Sequence, residues 1–214
     1  MPRAVITSLA ACLLFMGLAA CQPQTVTVTA VPQASAQDYY AAGIRAFGAE
    51  DYNQAATQFD AAIRLAPGMA DAYWYLGMSY AKMGMARRAE ETYKSGLAVA
   101  PGHMRLHEAL GLLSYDMNDY PQARRELSQA AALGSAHPQV FTDLGNLAMF
   151  DGDCPSALAN YRRALSIDPG FLPAREGLNN AQGRCHARAP KTAPKPKVEK
   201  SFTGGGAAID PSDF

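Results

Sequence analysis

His103 and His107 lie four residues apart with Glu108 beside them, and on one face of a helix that spacing can hold a metal ion. Asp51, Asp119 and Asp153 are candidates for acid–base work. Cys12, Cys21, Cys154 and Cys185 are candidates for lipidation, redox or disulfide chemistry. The motifs that would organise such residues into a catalytic centre are missing from the chain. There is no Gly-x-Ser-x-Gly elbow, no phosphate-cradling glycine loop and no Cys-x-x-Cys pair. Each candidate is therefore judged by the element that must position it.

Those elements repeat. Gly43, Gly77, Gly111 and Gly145 are each 34 residues apart, and so are Ala55, Ala89, Ala123 and Ala157. The same frame aligns Tyr39, Tyr73, His107 and Phe141, then Ala42, Leu76, Leu110 and Leu144, then Phe59, Tyr93, Leu127 and Tyr161. Pro67, Pro101 and Pro169 close three units, and Ser135 stands in the remaining slot. Apolar residues recur at helical spacing within each unit, as in Tyr73, Leu76, Gly77 and Tyr80 and then Ala89, Tyr93 and Leu97. Each unit thus reads as two short amphipathic helices. Gly84, Asn118 and Gly152 fall between paired helices, where a turn needs residues tolerant of positive φ. Pro121 and Pro155 fall just inside second helices, where a missing N–H costs nothing.

This pattern resembles the tetratricopeptide repeat, four times, over 36–69, 70–103, 104–137 and 138–171. The resemblance implies an all-α fold: a right-handed superhelical stack of four helix pairs plus a C-terminal capping helix over 172–188. The cap keeps an apolar phase at Ala174, Leu178 and Ala181 and turns Arg175, Glu176, Asn179 and Gln182 outward. Within the frame the chemistry recedes. His107 takes a position held elsewhere by Tyr39, Tyr73 and Phe141, so it packs. The three aspartates recur at one turn position, which marks helix starts. The expectation is a non-enzyme, with no catalytic residues, no metal site and no cofactor.

The flanks set the compartment. Leu9–Ala20 is apolar throughout and ends in Leu18-Ala19-Ala20-Cys21, similar to the bacterial lipobox. That makes 1–20 a signal sequence and Cys21 the lipidated first residue of the mature chain. Too little apolar length precedes Cys12, and Gln22-Pro23 ends the run too early for the roughly 20 residues of a membrane span. Gln22 stands where inner-membrane lipoproteins typically carry Asp, so the resemblance points to the outer membrane, facing the periplasm. Residues 21–35 have no helical period and read as a tether. Residues 189–214 begin Pro- and Lys-rich, cannot build a core, and read as a basic tail whose functional use is contact with anionic peptidoglycan. The chain is 49% hydrophobic and 18% charged with zero formal charge. The positive charge gathers late, leaving a mildly acidic body and no reason to expect nucleic acid.

In an oxidising compartment the two cysteines left after lipidation, Cys154 and Cys185, read as a disulfide. Cys154 sits at the turn of the fourth repeat, and stacking brings the end of the capping helix beside it. In tetratricopeptide proteins, the first helices of the pairs line a concave groove. Carried over by position, the lining is Tyr40, Ile44 and Phe47; Asp71, Trp74, Met78 and Lys82; Arg105, Glu108, Leu112 and Tyr115; and Gln139, Thr142, Asn146, Met149 and Phe150. Its aromatic and methionine content suits an apolar peptide or an amphipathic helix.

The architecture is that of a non-catalytic adaptor with a lipid anchor. It resembles the tight-adherence (Flp) pilus assembly lipoprotein and the type IV pilus pilotins. The implied partner is a periplasmic or outer-membrane protein, such as a secretin or pilus component. The alternatives are an adaptor that recruits cell-wall hydrolases and a structural tether to peptidoglycan through the basic tail.

Overall fold

The computed structural model describes residues 34–188. The signal sequence, Cys21, most of the tether and the 189–214 tail lie outside the described residues, and the expectations for them lie outside with them. Nine helices follow one another among the described residues: α1 Ala36–Gly48, α2 Tyr52–Leu65, α3 Ala70–Lys82, α4 Ala86–Val99, α5 Met104–Asp116, α6 Tyr120–Ala132, α7 Pro138–Asp151, α8 Cys154–Ile167 and α9 Leu172–Arg188. Among the described residues no helix is long and apolar enough to cross a membrane.

Local chemistry fixes the helix ends. Asp51, Asp119 and Asp153 cap α2, α6 and α8, their side chains accepting from the N–H groups of Gln54, Gln122 and Ser156. Ser35 and Asp38 form a reciprocal capping box at the start of α1. Within each pair the chain reverses through one left-handed residue: Glu50 (φ 60°), Gly84 (76°), Asn118 (62°) and Gly152 (75°). The next N–H then reaches back five residues, as from Asp51 to Ala46 O (3.0 Å) and from Asp119 to Ser114 O (2.8 Å). That is the 6→1 bond of a Schellman turn. The first unit makes this turn with a glutamate, which the frame of glycine and asparagine did not foretell.

Packing explains the 34-residue glycines. A Cβ on Gly43 would fall 2.7 Å from the Phe59 ring, one on Gly111 2.7 Å from Leu127, and one on Gly145 2.7 Å from Tyr161; Gly77 meets Tyr93 in the same way. The first helix of each pair therefore rides directly on the large residue of the second, and Ala55, Ala89, Ala123 and Ala157 are fully buried beside it. Sequential helices pack together, and α1, α3, α5, α7 and α9 also touch one another in series, whereas the even helices pack only on odd ones. The odd helices are thus crowded on the inner side of the curve and the even helices splay on the outer side. The fold is an all-α stack of helix pairs closed by α9, which packs on α7 and α8 through Ala174 and Ala181.

Cys154, the first residue of α8, and Cys185, near the end of α9, are joined by a disulfide with Cα atoms 5.9 Å apart across 31 residues of sequence.

Candidate functional site

The concave face divides into two halves of different character. In the first, Tyr40, Ile44 and Phe47 of α1 are half-buried. Tyr40 meets Phe59 and Tyr75 edge-on at 5.7 and 5.9 Å, Phe47 meets Tyr75 at 5.6 Å, and Tyr75 stacks on Phe59 at 5.2 Å. Burial pushes the Tyr40 hydroxyl above its ordinary value, with Asp71 adding to it. These three side chains are as much packing as lining, and their common partner is Tyr75. Repeat position did not point to Tyr75, because the same slot holds Ala41 and Ala109.

Trp74 touches Tyr75 at 4.6 Å and carries the Arg105 guanidinium 5.1 Å above its ring. Asp71 holds Arg105 (3.7 Å) and His103 Nε2 (3.2 Å). Met78 packs toward the Leu106 and Leu110 core. Lys82 is exposed on the last turn of α3.

The histidines have separate duties. His103 caps α5, accepting from Leu106 N–H. The ring of His107 is buried; its Nε2 donates to Pro101 O (2.9 Å) and its Nδ1 faces Glu126 Oε2 (2.8 Å). Glu108 accepts from Ser135 Oγ at 2.5 Å, and the same hydroxyl oxygen accepts from His137 N–H. The serine that replaces the repeat-closing proline thus ties α5 to the turn that leads into α7.

The second half is open. Tyr115, Asn146, Met149, Phe150, Tyr161, Gly177, Asn180, Ala181 and Arg184 enclose a cleft of about 460 Å³ between α5, α7, α8 and α9. Leu112 lies one turn before Tyr115 on α5 and packs against the core behind it. Phe150 is 68% exposed, the most open large apolar side chain among those described. It stacks on Tyr120 at 5.2 Å, and Tyr120 lies 5.7 Å from Tyr115.

The floor of the cleft is polar and ordered. Tyr161 donates its hydroxyl to Asn146 Oδ1 at 2.7 Å. Burial pushes that phenol up to about 12, helped by Tyr115 and Asp143 and partly opposed by Arg184. Asp143 is buried behind the lining, its carboxyl raised to about 6 chiefly by burial, and Gln139 donates to its Oδ1 at 2.8 Å. Gln139 is engaged there. Thr142, expected to line the groove, is instead 2% exposed and donates to Pro138 O; α7 is covered on that side by its neighbours.

Tyr115, Asn146, Met149 and Phe150 are brought together as one surface, while Tyr40, Ile44, Phe47, Trp74 and Met78 belong to another. The α9 wall of the cleft was not anticipated. The available signal was Gly177, a small residue two places before the slot the 34-residue frame would give it.

Residues 46–114 match a family model described as tetratricopeptide repeat, and residues 109–170 match a second model of the same description. No curated protein matches the chain in sequence. Among solved structures, the fold is similar to a crystal structure of MamA at 21% identity, covering 72% of this chain and 84% of that one with a TM-score of 0.63. It is similar to MamA from Desulfovibrio magneticus RS-1 at 18% identity, 71% and 85% coverage and a TM-score of 0.62. It is also similar to YrrB, described as a TPR protein with an unusual peptide-binding site, at 19% identity, 72% and 80% coverage and a TM-score of 0.63. At these identities the likeness is one of fold.

Proposed function

Because the chain is a tetratricopeptide-repeat protein, we propose that it is a scaffold whose concave face captures a segment of another protein, and that it works from a lipid anchor at the outer membrane. The observation that carries the capture is the open half of the concave face, where Phe150 stands 68% exposed beside a cleft walled by Tyr115, Asn146 and Met149. Phe150, Tyr120, Tyr115 and Met149 form a contiguous apolar patch rimmed by Asn146 and Arg184, the makings of a recognition surface. YrrB, similar in fold, is described as having a peptide-binding site.

The anchor rests on Leu18-Ala19-Ala20-Cys21 and the short apolar run before it. Together with the repeats it supports a place among the assembly factors of pili and secretion machines, with a secretin or pilus component as partner. A lipid-anchored recruiter of cell-wall hydrolases is the competing use of the same surface. Two experiments separate these readings. Cys21→Ser should release the protein from the membrane fraction while Cys12→Ser does not; retention of Cys21→Ser on membranes removes the anchor. A photoreactive residue at position 150 of the native, anchored protein should crosslink a component of a pilus or secretion machine. A hydrolase in the crosslink selects the competing use, and a crosslink absent at 150 but present on the convex side removes the concave surface.

A further inference from the structure

The cleft depends on the terminal helix of the described stack, which packs on α7 and α8 from one side only. Gly177, Asn180, Ala181 and Arg184, all from α9, form one wall. Helix α9 is the last of the described stack, its fully buried contacts are the small side chains of Ala174 and Ala181, and it contains two glycines and two asparagines, all weak helix formers. The disulfide acts at the point of need, since Cys185 follows Arg184 directly and is bonded to the start of α8.

The lining also states what it would accept. Met149 and the uncovered Phe150 offer apolar walls, and 460 Å³ exceeds what one side chain fills. Arg184 is the one charged residue on the lining and forms no ion pair with another described residue. Asp143 lies behind the lining, 3% exposed and occupied by Gln139, so it presents no competing carboxylate on the wall.

We propose that this cleft docks a partner peptide segment presenting a large apolar side chain next to a carboxylate, and that the Cys154–Cys185 disulfide completes the site by fixing its α9 wall. The inference rests on the concave face being the capture surface. Guanidinium and carboxylate pair by charge-assisted hydrogen bonds, while the ring and thioether supply the apolar contact. An external dithiol opens the site reversibly. It delivers two electrons and two protons to the protein disulfide, leaving Cys154 and Cys185 as thiols and itself as a disulfide.

The test uses the full chain in oxidised form and a displayed library of random short peptides, with enriched sequences resynthesised and titrated by fluorescence anisotropy. The expected consensus places an aromatic or Leu/Met residue beside Asp or Glu. Arg184→Glu, the Cys154→Ser/Cys185→Ser pair, and dithiol treatment should each weaken binding about tenfold or more with the helical circular dichroism retained. Gly183→Ala, which adds its methyl in open space and favours helix, should recover part of the binding lost by the serine pair. Failure to enrich any peptide, a consensus without an acid, or indifference to Arg184→Glu and to the serine pair overturns the proposal. So does a folded serine pair that Gly183→Ala does not rescue, and so does a serine pair whose helical signal is lost altogether, since the disulfide would then hold the whole stack rather than one wall. Peptides released by Trp74→Ala and not by Arg184→Glu would overturn this site while keeping the concave face. Indifference to every concave substitution would remove both.

Discussion

Gly177 of α9 lies against the ring of Tyr161 in α8 so closely that a Cβ at 177 would run into the ring, and Gly145 of α7 confronts the same ring from within the pair. Tyr161 is therefore clasped between two glycines, with its hydroxyl fixed on Asn146. Gly177→Ala should displace the ring, strain that hydrogen bond and cost about 1–3 kcal/mol through overpacking. Gly183→Ala on the same helix meets nothing within 4 Å and should stabilise by about 0.5–1 kcal/mol through helix propensity. Urea denaturation of the two variants should shift in opposite directions. Equal shifts would mean that α9 does not seat on Tyr161.

Asp143 gives the chain a pH signature. Burial pushes its carboxyl up to about 6 in the fold, above its ordinary value of 3.8. Between those values the folded state holds a proton that the unfolded chain has released. Stability therefore falls as pH rises from about 4 to about 6, by at most about 3 kcal/mol for this group. Asp143→Asn keeps an acceptor for Gln139 and removes the charge, so it should flatten this slope and raise stability at neutral pH. A variant with an unchanged pH slope would place the titration elsewhere.

Much of this architecture can be read from residue spacing, and the reason is physical. A period of 34 in glycine, alanine and a large apolar residue is the imprint of one contact made four times, as when Gly43 meets Phe59 and Gly145 meets Tyr161. Turn and cap positions are equally legible because positive φ and exposed helix N–H groups restrict which residues serve. What spacing does not convey is how a non-repeated side chain settles. Tyr75 occupies a slot that holds alanine in two other units, yet it joins Tyr40, Phe47 and Phe59. Ser135 abandons the proline pattern and gains Glu108. The cleft draws a wall from α9, whose register departs from the repeat at Gly177. Local rules describe each unit well, and the site arises where the last unit stops obeying them.

Tyr40 and Phe150 should separate packing from recognition. Tyr40 is wedged against Phe59 and Tyr75, so Tyr40→Ala should lower stability by about 2–4 kcal/mol by leaving a cavity among the rings. Phe150 is mostly in solvent, and its main ring contact is Tyr120. Phe150→Ala should change stability by no more than about 0.5–1 kcal/mol while abolishing the crosslink or peptide binding assigned to the open half. Chemical denaturation and a binding titration on both variants decide it. A Phe150→Ala variant that binds normally rules out that half as the capture surface.

The disulfide should protect the end of the stack and little else. It closes a loop of about 32 residues, worth roughly 3–4 kcal/mol in the chain-entropy model. In a linear array of repeats each unit feels chiefly its neighbours, so that stabilisation should be spent locally. The bond spans α8 and α9, and α9 otherwise rests on Ala174, Leu178 and Ala181. Reduction, or the Cys154→Ser/Cys185→Ser pair, should therefore speed amide hydrogen exchange throughout α9 and in the first turn of α8. Protection in α1 to α4 should stay nearly unchanged. Thiol counting on the native protein, unfolded without reductant, should find neither Cys154 nor Cys185 reactive. Reactive Cys154 and Cys185 thiols, or a loss of protection spread evenly to α1, would show that the bond is absent in the native protein or that the stack unfolds as one unit.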